Sequence, residues 1–149
     1  MPNLGPYQWS LLFWGEHGAS EWMGDEVDRD KAATVKVKEG RITTYNTKVG
    51  PGTTVTGQVF TVDGVTPAGE ARIVFVNAKS ADNMGVGNYY LPLGPNYTAQ
   101  VKGRQRVKIT YSTTVDGVSY QGWIGGTSFA DAAVFTIPDD GEFTLDLAL

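Results

Sequence analysis

The sequence predicts an all-β chain, a sandwich or barrel of short strands joined by turns. Three observations carry this. Runs of residues with β-branched and aromatic side chains alternate apolar with polar, the period of a half-buried strand. Nineteen glycines, with Asp-Gly and Pro-Gly pairs, punctuate those runs. No segment places apolar residues at helical spacing for three turns. The chain also repeats itself. Trp22-Met23-Gly24 matches Trp123-Ile124-Gly125, and without a gap Asp30 then meets Asp131, Ala32 meets Ala133, Gly40 meets Gly141 and Thr43 meets Thr144. Upstream, Trp9, Leu11 and Phe13 match Val107, Ile109 and Tyr111, with a loop three residues longer in the second copy. Residues 53–101 have no counterpart before residue 5, so the chain reads as the back half of one β module (1–50) followed by a complete one (51–149).

The elements follow in order. Residues 8–14 alternate Trp9, Leu11 and Phe13 against Gln8, Ser10 and Leu12, which predicts a strand. Residues 21–23 read as a short edge piece, and the acidic stretch 25–30 as a loop or one helical turn. Residues 33–37 and 41–49 read as strands around Glu39-Gly40. Gly50-Pro51-Gly52 is the strongest boundary, because Pro and Gly together break both periodicities. Residues 53–62 form the next strand. Residues 71–77, apolar on both faces, predict a central strand. Residues 88–93 and 97–101 flank Gly94-Pro95-Asn96. Residues 106–113 and 119–124 flank Asp116-Gly117, a dipeptide that suits a hairpin turn. Residues 133–137 and 142–149 complete the set.

Composition limits the chemistry. The 149 residues suffice for a sizeable core. There is no Cys, so disulfides, thiol catalysis and Cys-ligated zinc are excluded. A net charge of −4 argues against non-specific nucleic-acid binding. No apolar run approaches the roughly 20 residues of a membrane-spanning helix. Residues 1–6 lack the basic and apolar regions of a secretory signal. The chain is therefore expected to act where it is made, to have lost a leader, or to leave the cell within a particle.

Val55-Thr56-Gly57-Gln58-Val59-Phe60, Asp63-Gly64 and the lead Pro67-Ala68-Gly69 into residues 70–75 resemble the opening of a known family. So do Leu93-Gly94-Pro95-Asn96-Tyr97 and Leu4-Gly5-Pro6-Tyr7, and the Trp-containing segments at Trp22 and Trp123. The family is the transthyretin-like sandwich of carboxypeptidase regulatory-like and Cna B-type repeats. The resemblance implies a Greek-key β-sandwich and is nearly silent on function. Some members join a first-strand Lys to a last-strand Asn or Asp by an isopeptide bond, helped by a buried Glu. Here residues 53–62 contain no Lys, although Asp146 lies on the last strand.

Candidate chemistry is sparse. His17, the lone histidine, sits in a Gly-rich turn and lacks the partners of a triad. Asp25, Glu26, Asp28 and Asp30 offer oxygen ligands, but the second copy keeps only Asp131, so a shared cation site is not expected. Trp9, Trp14, Tyr89 and Tyr90 are candidates for an interface, since rings dominate contact energetics. Lys102, Arg104, Arg106 and Lys108 alternate as one basic face, with Arg104 and Arg106 the candidate contacts to an acidic partner such as the 25–30 run of another copy. No catalytic, cofactor or metal residue is expected. The expected function is a non-enzymatic structural protein that assembles by strand pairing, with itself or with a protein partner, and binds neither nucleic acid nor membrane. A phage virion subunit, for capsid decoration or the tail, is the expected setting. The alternative is a spacer or carbohydrate-binding accessory of an extracellular, cell-surface multi-repeat protein.

Overall fold

The structure, a computed structural model, describes residues 5–14, 19–81, 86, 95–115 and 117–149, with the backbone alone at Val115. In chain order the strands are β1 (Gln8–Trp9), β2 (Leu12–Phe13), β3 (Glu21–Trp22), β4 (Val35–Lys36), β5 (Thr53–Phe60) and β6 (Ala71–Asn77). There follow β7 (Asn96–Val101), β8 (Gln105–Val115), β9 (Val118–Trp123), β10 (Phe135–Ile137), β11 (Glu142–Thr144) and β12 (Leu147–Ala148). The acidic stretch contains a single 3-10 turn, Arg29–Lys31, capped by the Asp28 carboxylate accepting from the Asp30 N–H. The fold is all-β. Among the described residues no helix is long and apolar enough to cross a membrane.

Period-two alternation builds the core. In one four-stranded sheet β5 pairs antiparallel with β7 on one edge and parallel with β11 and β12 on the other. In the second, β8 pairs with β6 along one edge, and with β10 and then β9 along the other. Val55 and Val59 of β5, Ile73 and Phe75 of β6, Tyr97 and Val101 of β7, and Val107 and Ile109 of β8 all point into one apolar core. Two sheets sharing one core is a sandwich-like arrangement. Among the described residues β6 pairs with β8 alone, so residues 71–77 have a strand on one side only; their second face buries Val76, leaves Val74 half-buried and exposes Arg72.

No described residue before Val55 belongs to that core. The N-terminal residues nevertheless repeat the hydrogen-bond pattern of residues 105–137. Gln8 and Trp9 pair with Lys36 and Val35 as Arg106 and Val107 pair with Thr136 and Phe135. Leu12 pairs with Trp22 as Thr110 pairs with Trp123. The Met23 N–H donates to the Leu11 carbonyl at 2.8 Å, and the Ile124 N–H to the Ile109 carbonyl at 2.9 Å. One detail of the alignment changes. Ala33, not Ala32, takes the place of Ala133: their N–H groups donate to Met23 and Ile124 carbonyls, and each alanine methyl closes over Gly24 or Gly125. The first copy is thus one residue longer in this loop.

The predicted strand 142–149 is divided into β11 and β12. In residues 1–50 two predicted strands come out differently, for one reason. Residues 41–49 form no strand. Residues 41–48 are exposed, Ile42 almost completely at 97 %. Their counterparts in the repeat, β11 and β12, pair only with β5 among the described residues, and no described residue before Gly50 forms a β5 equivalent. An extended segment without a ladder partner has nothing to fix its dihedrals. Likewise residues 8–14 form not one strand but β1 and β2, interrupted at Ser10 and Leu11. The matching residues of β8, Lys108 and Ile109, lie between the stretches paired to β10 and β9, and β6 carries the strand across that gap. No β6 equivalent exists for the first copy among the described residues. The predicted strand 88–93 lies outside the described residues.

Candidate functional site

Two features of residues 5–50 stand out: an uncovered strand edge with its apolar face, and a charged seam against the rest of the chain. The edge is that of β1 and β2. In β8 the Arg106 carbonyl accepts from the Ala78 N–H at 2.9 Å, so Arg106, Lys108 and Thr110 direct their backbone groups toward β6. By the shared register Gln8, Ser10 and Leu12 direct theirs to the side that no described strand covers. Tyr7 and Leu11 carbonyls point the other way, accepting from Val37 and Met23. Trp9 and Leu11 line the face matching the buried core residues Val107 and Ile109, yet both are only half-buried; Phe13 is half-buried like its counterpart Tyr111. Tyr45 stacks on Phe13 at 5.7 Å and Tyr7 meets Trp9 edge-on at 6.4 Å, which gives this face partial cover.

The seam joins residues 19–31 to the end of the sandwich. Lys102 leaves β7 and places its ammonium against the carboxylates of Glu21, at 2.8 Å, and Asp25. The Glu21 side chain is only 4 % exposed and that of Asp25 74 %, so one carboxylate lies inside the seam and the other at its rim. The hydrogen bond from Lys102 holds the Asp25 carboxyl below its usual range. Burial opposes the charge on Lys102, but its hydrogen bonds to Asp25 and Glu21 outweigh that and raise its pKa. Beside the seam lies a crevice of about 360 Å³ where Arg104 pairs with Asp139 at 2.5 Å.

The basic residues therefore do not form the single face predicted. Gly103 and Arg104, the latter with φ 58, turn the chain before β8 starts at Gln105. Lys102 meets acids of its own chain rather than of another copy. Lys108 is buried, its ammonium 4.5 Å from the Phe129 ring centre and donating to the Phe129 and Ala130 carbonyls. Arg106 is exposed. Of the aromatic candidates, Trp14 is 60 % exposed, and the Trp9 indole N–H donates to the Gly5 carbonyl at 3.1 Å. Tyr89, Tyr90 and His17 lie outside the described residues.

Comparison with family models, curated proteins and solved structures found no match.

The seam places a lysine beside two carboxylates, the groups an isopeptide bond would join. Amide formation needs a neutral amine and a protonated carboxyl, because the amine lone pair attacks the carbon and hydroxide leaves as water. Here the raised Lys102 and lowered Asp25 values keep both groups charged at neutral pH. We expect the intact mass of the purified chain to equal that of its sequence; a deficit of one water would show that the amide forms.

Sequence reasoning missed the seam, although a signal was present. Glu21 and Asp25 stand where the second copy has Gly122 and Gly126. Charged departures inside an otherwise matching repeat mark the place where the two copies face different surroundings.

Proposed function

We propose that this chain is a non-enzymatic structural protein that works by assembly. In this reading residues 1–50 are the back half of a transthyretin-like module and residues 51–149 a complete one. The observation that carries it is the edge of β1 and β2. The equivalent edge of β8 is covered by seven residues of β6, whereas among the described residues no strand covers this one. An uncovered edge beside half-buried rings is the form of a strand-addition site. The uncharged run from Gly5 to Trp14 supports the same reading, since edges that avoid pairing are normally protected by charge. A particle or fibre of many copies, such as a virion, is the setting we propose, because neighbours held close raise the effective concentration of a partner strand.

Light scattering at micromolar concentration tests assembly, and a discrete oligomer is expected. A persistent monomer whose amides at Gln8, Ser10 and Leu12 resist hydrogen exchange would show that the edge is closed within the chain, and the reading would fall.

A further inference from the structure

We propose that the occupant of the β1–β2 edge is the same edge of a second copy, paired antiparallel about a two-fold axis at Leu11; this rests on the assembly reading above. The repeat supplies the direction. β6 runs antiparallel to β8, with Val107 opposite Asn77, Ile109 opposite Phe75 and Tyr111 opposite Ile73. Antiparallel is also the arrangement in which a strand pairs with its own copy and closes, because a two-fold contact uses one patch twice.

The backbone fixes the register within narrow limits. Gln8, Ser10, Leu12 and Trp14 share the parity that faces the open side, so each must pair with another member of that set. Centring the pair on Ser10 would set Pro6, which has no N–H, opposite Trp14. Centring it on Leu11 pairs Gln8 with Trp14 and Ser10 with Leu12, and leaves Pro6 outside. On the apolar face Trp9 then lies opposite Phe13, and Leu11 opposite Leu11. Aromatic and aliphatic cross-strand pairs of this kind favour association. No charge repulsion arises within the paired stretch, because residues 5–14 carry no charge. The new ladder would also supply the missing partner at Ser10 and Leu11, so β1 and β2 would become one strand, as their counterpart β8 already is.

A second copy is favoured over a strand such as β6 from a neighbour. β6 is held along its whole length by β8 and carries the buried core residues Ile73 and Phe75, so it cannot be lent without unfolding its owner.

The chain has no Cys, which permits a direct test. Leu11 would occupy a non-hydrogen-bonded antiparallel pair, whose short Cα separation of about 4.5 Å suits a disulfide. Leu11→Cys should form a covalent dimer under mild oxidation, while Thr43→Cys, on the exposed segment, should not. Ser10→Pro removes one N–H from the open edge and leaves the pairs to β3 and β4 intact. It should weaken self-association at least tenfold, with Ser10→Glu as a second variant should proline disturb the fold. An oligomer that does not cross-link at residue 11, and that Ser10→Pro and Ser10→Glu leave intact, overturns the two-fold pairing but not assembly. Capture of a different protein's strand at this edge, with no self-association, overturns it as well. A chain that stays monomeric also overturns it, and exchange at Gln8, Ser10 and Leu12 then decides the assembly reading separately.

Discussion

Gly57→Ala is expected to cost the sandwich about 3 kcal/mol or more of folding stability, the upper end for overpacking. Gly57 lies in β5 where its parallel partner changes from β11 to β12. A Cβ there would lie 2.0 Å from the Leu145 carbonyl oxygen and 3.0 Å from the Tyr97 ring. Backbone cannot swing aside as a side-chain tip can, so the chain around Leu145 must move. That movement also strains the bond in which the Tyr97 hydroxyl donates to the Leu145 carbonyl, at 2.5 Å. Gly69→Ala is the matched control, because nothing lies within 4 Å of a Cβ at that position, and it should change stability by less than about 0.5 kcal/mol. Denaturant unfolding of both variants checks this. Equal midpoints would mean that β5 and the strands beside it are not as close as described.

Lys102→Met is expected to release residues 19–31 from the sandwich. It strands the Glu21 carboxylate, whose side chain is 4 % exposed, without its cation. Leaving a buried charge uncompensated costs about 3–5 kcal/mol. The loss should appear locally, as faster hydrogen exchange at residues 19–23 and new protease cleavage between 19 and 31, while exchange in β5 and β8 stays slow. Adding Glu21→Met should restore protection, because an apolar pair of similar size can replace a buried ion pair. Unchanged protection in the single variant would show that the seam is held by packing alone.

The seam's pH response follows from the two shifts. Asp25 is lowered on folding, so its contribution is complete above the ordinary carboxylate range and is lost as pH falls through its lowered value. Lys102 is raised, so its contribution is complete below the ordinary lysine value and is lost as pH rises beyond it. Docking of residues 19–31 should therefore be flat across neutral pH and weaken at both extremes.

The all-β class was legible in the sequence because alternation and turn residues are local signals. The register of the repeat was legible as well, apart from the residue that places Ala33 over Gly24. The failures were non-local. Residues 41–49 alternate as a strand should, and nothing within them reveals that no described strand pairs with them. Residues 71–77 are apolar on both faces, yet among the described residues they pair on one side alone. The basic stripe from Lys102 to Lys108 looked uniform because alternation was assumed through Gly103 and Arg104, where the chain instead turns. Glu21 is an ordinary acid by type, and only its departure from the second copy distinguishes it.

The duplicated register also creates a hazard during synthesis. Residues 8–13 leave the ribosome well before β8 and present β6 with the same antiparallel edge. β6 therefore meets a decoy before its proper mate exists, and early mispairing of look-alike elements is a common failure of repeat proteins. Length resolves the contest. β8 continues through a hairpin that reaches Val115 and Val118 and fully buries Val107 and Ile109; β1 and β2 offer two residues each. The decoy can hold β6 only until the longer competitor is made, so slow late synthesis would prolong the wrong pairing and truncation before residue 105 would leave it unopposed.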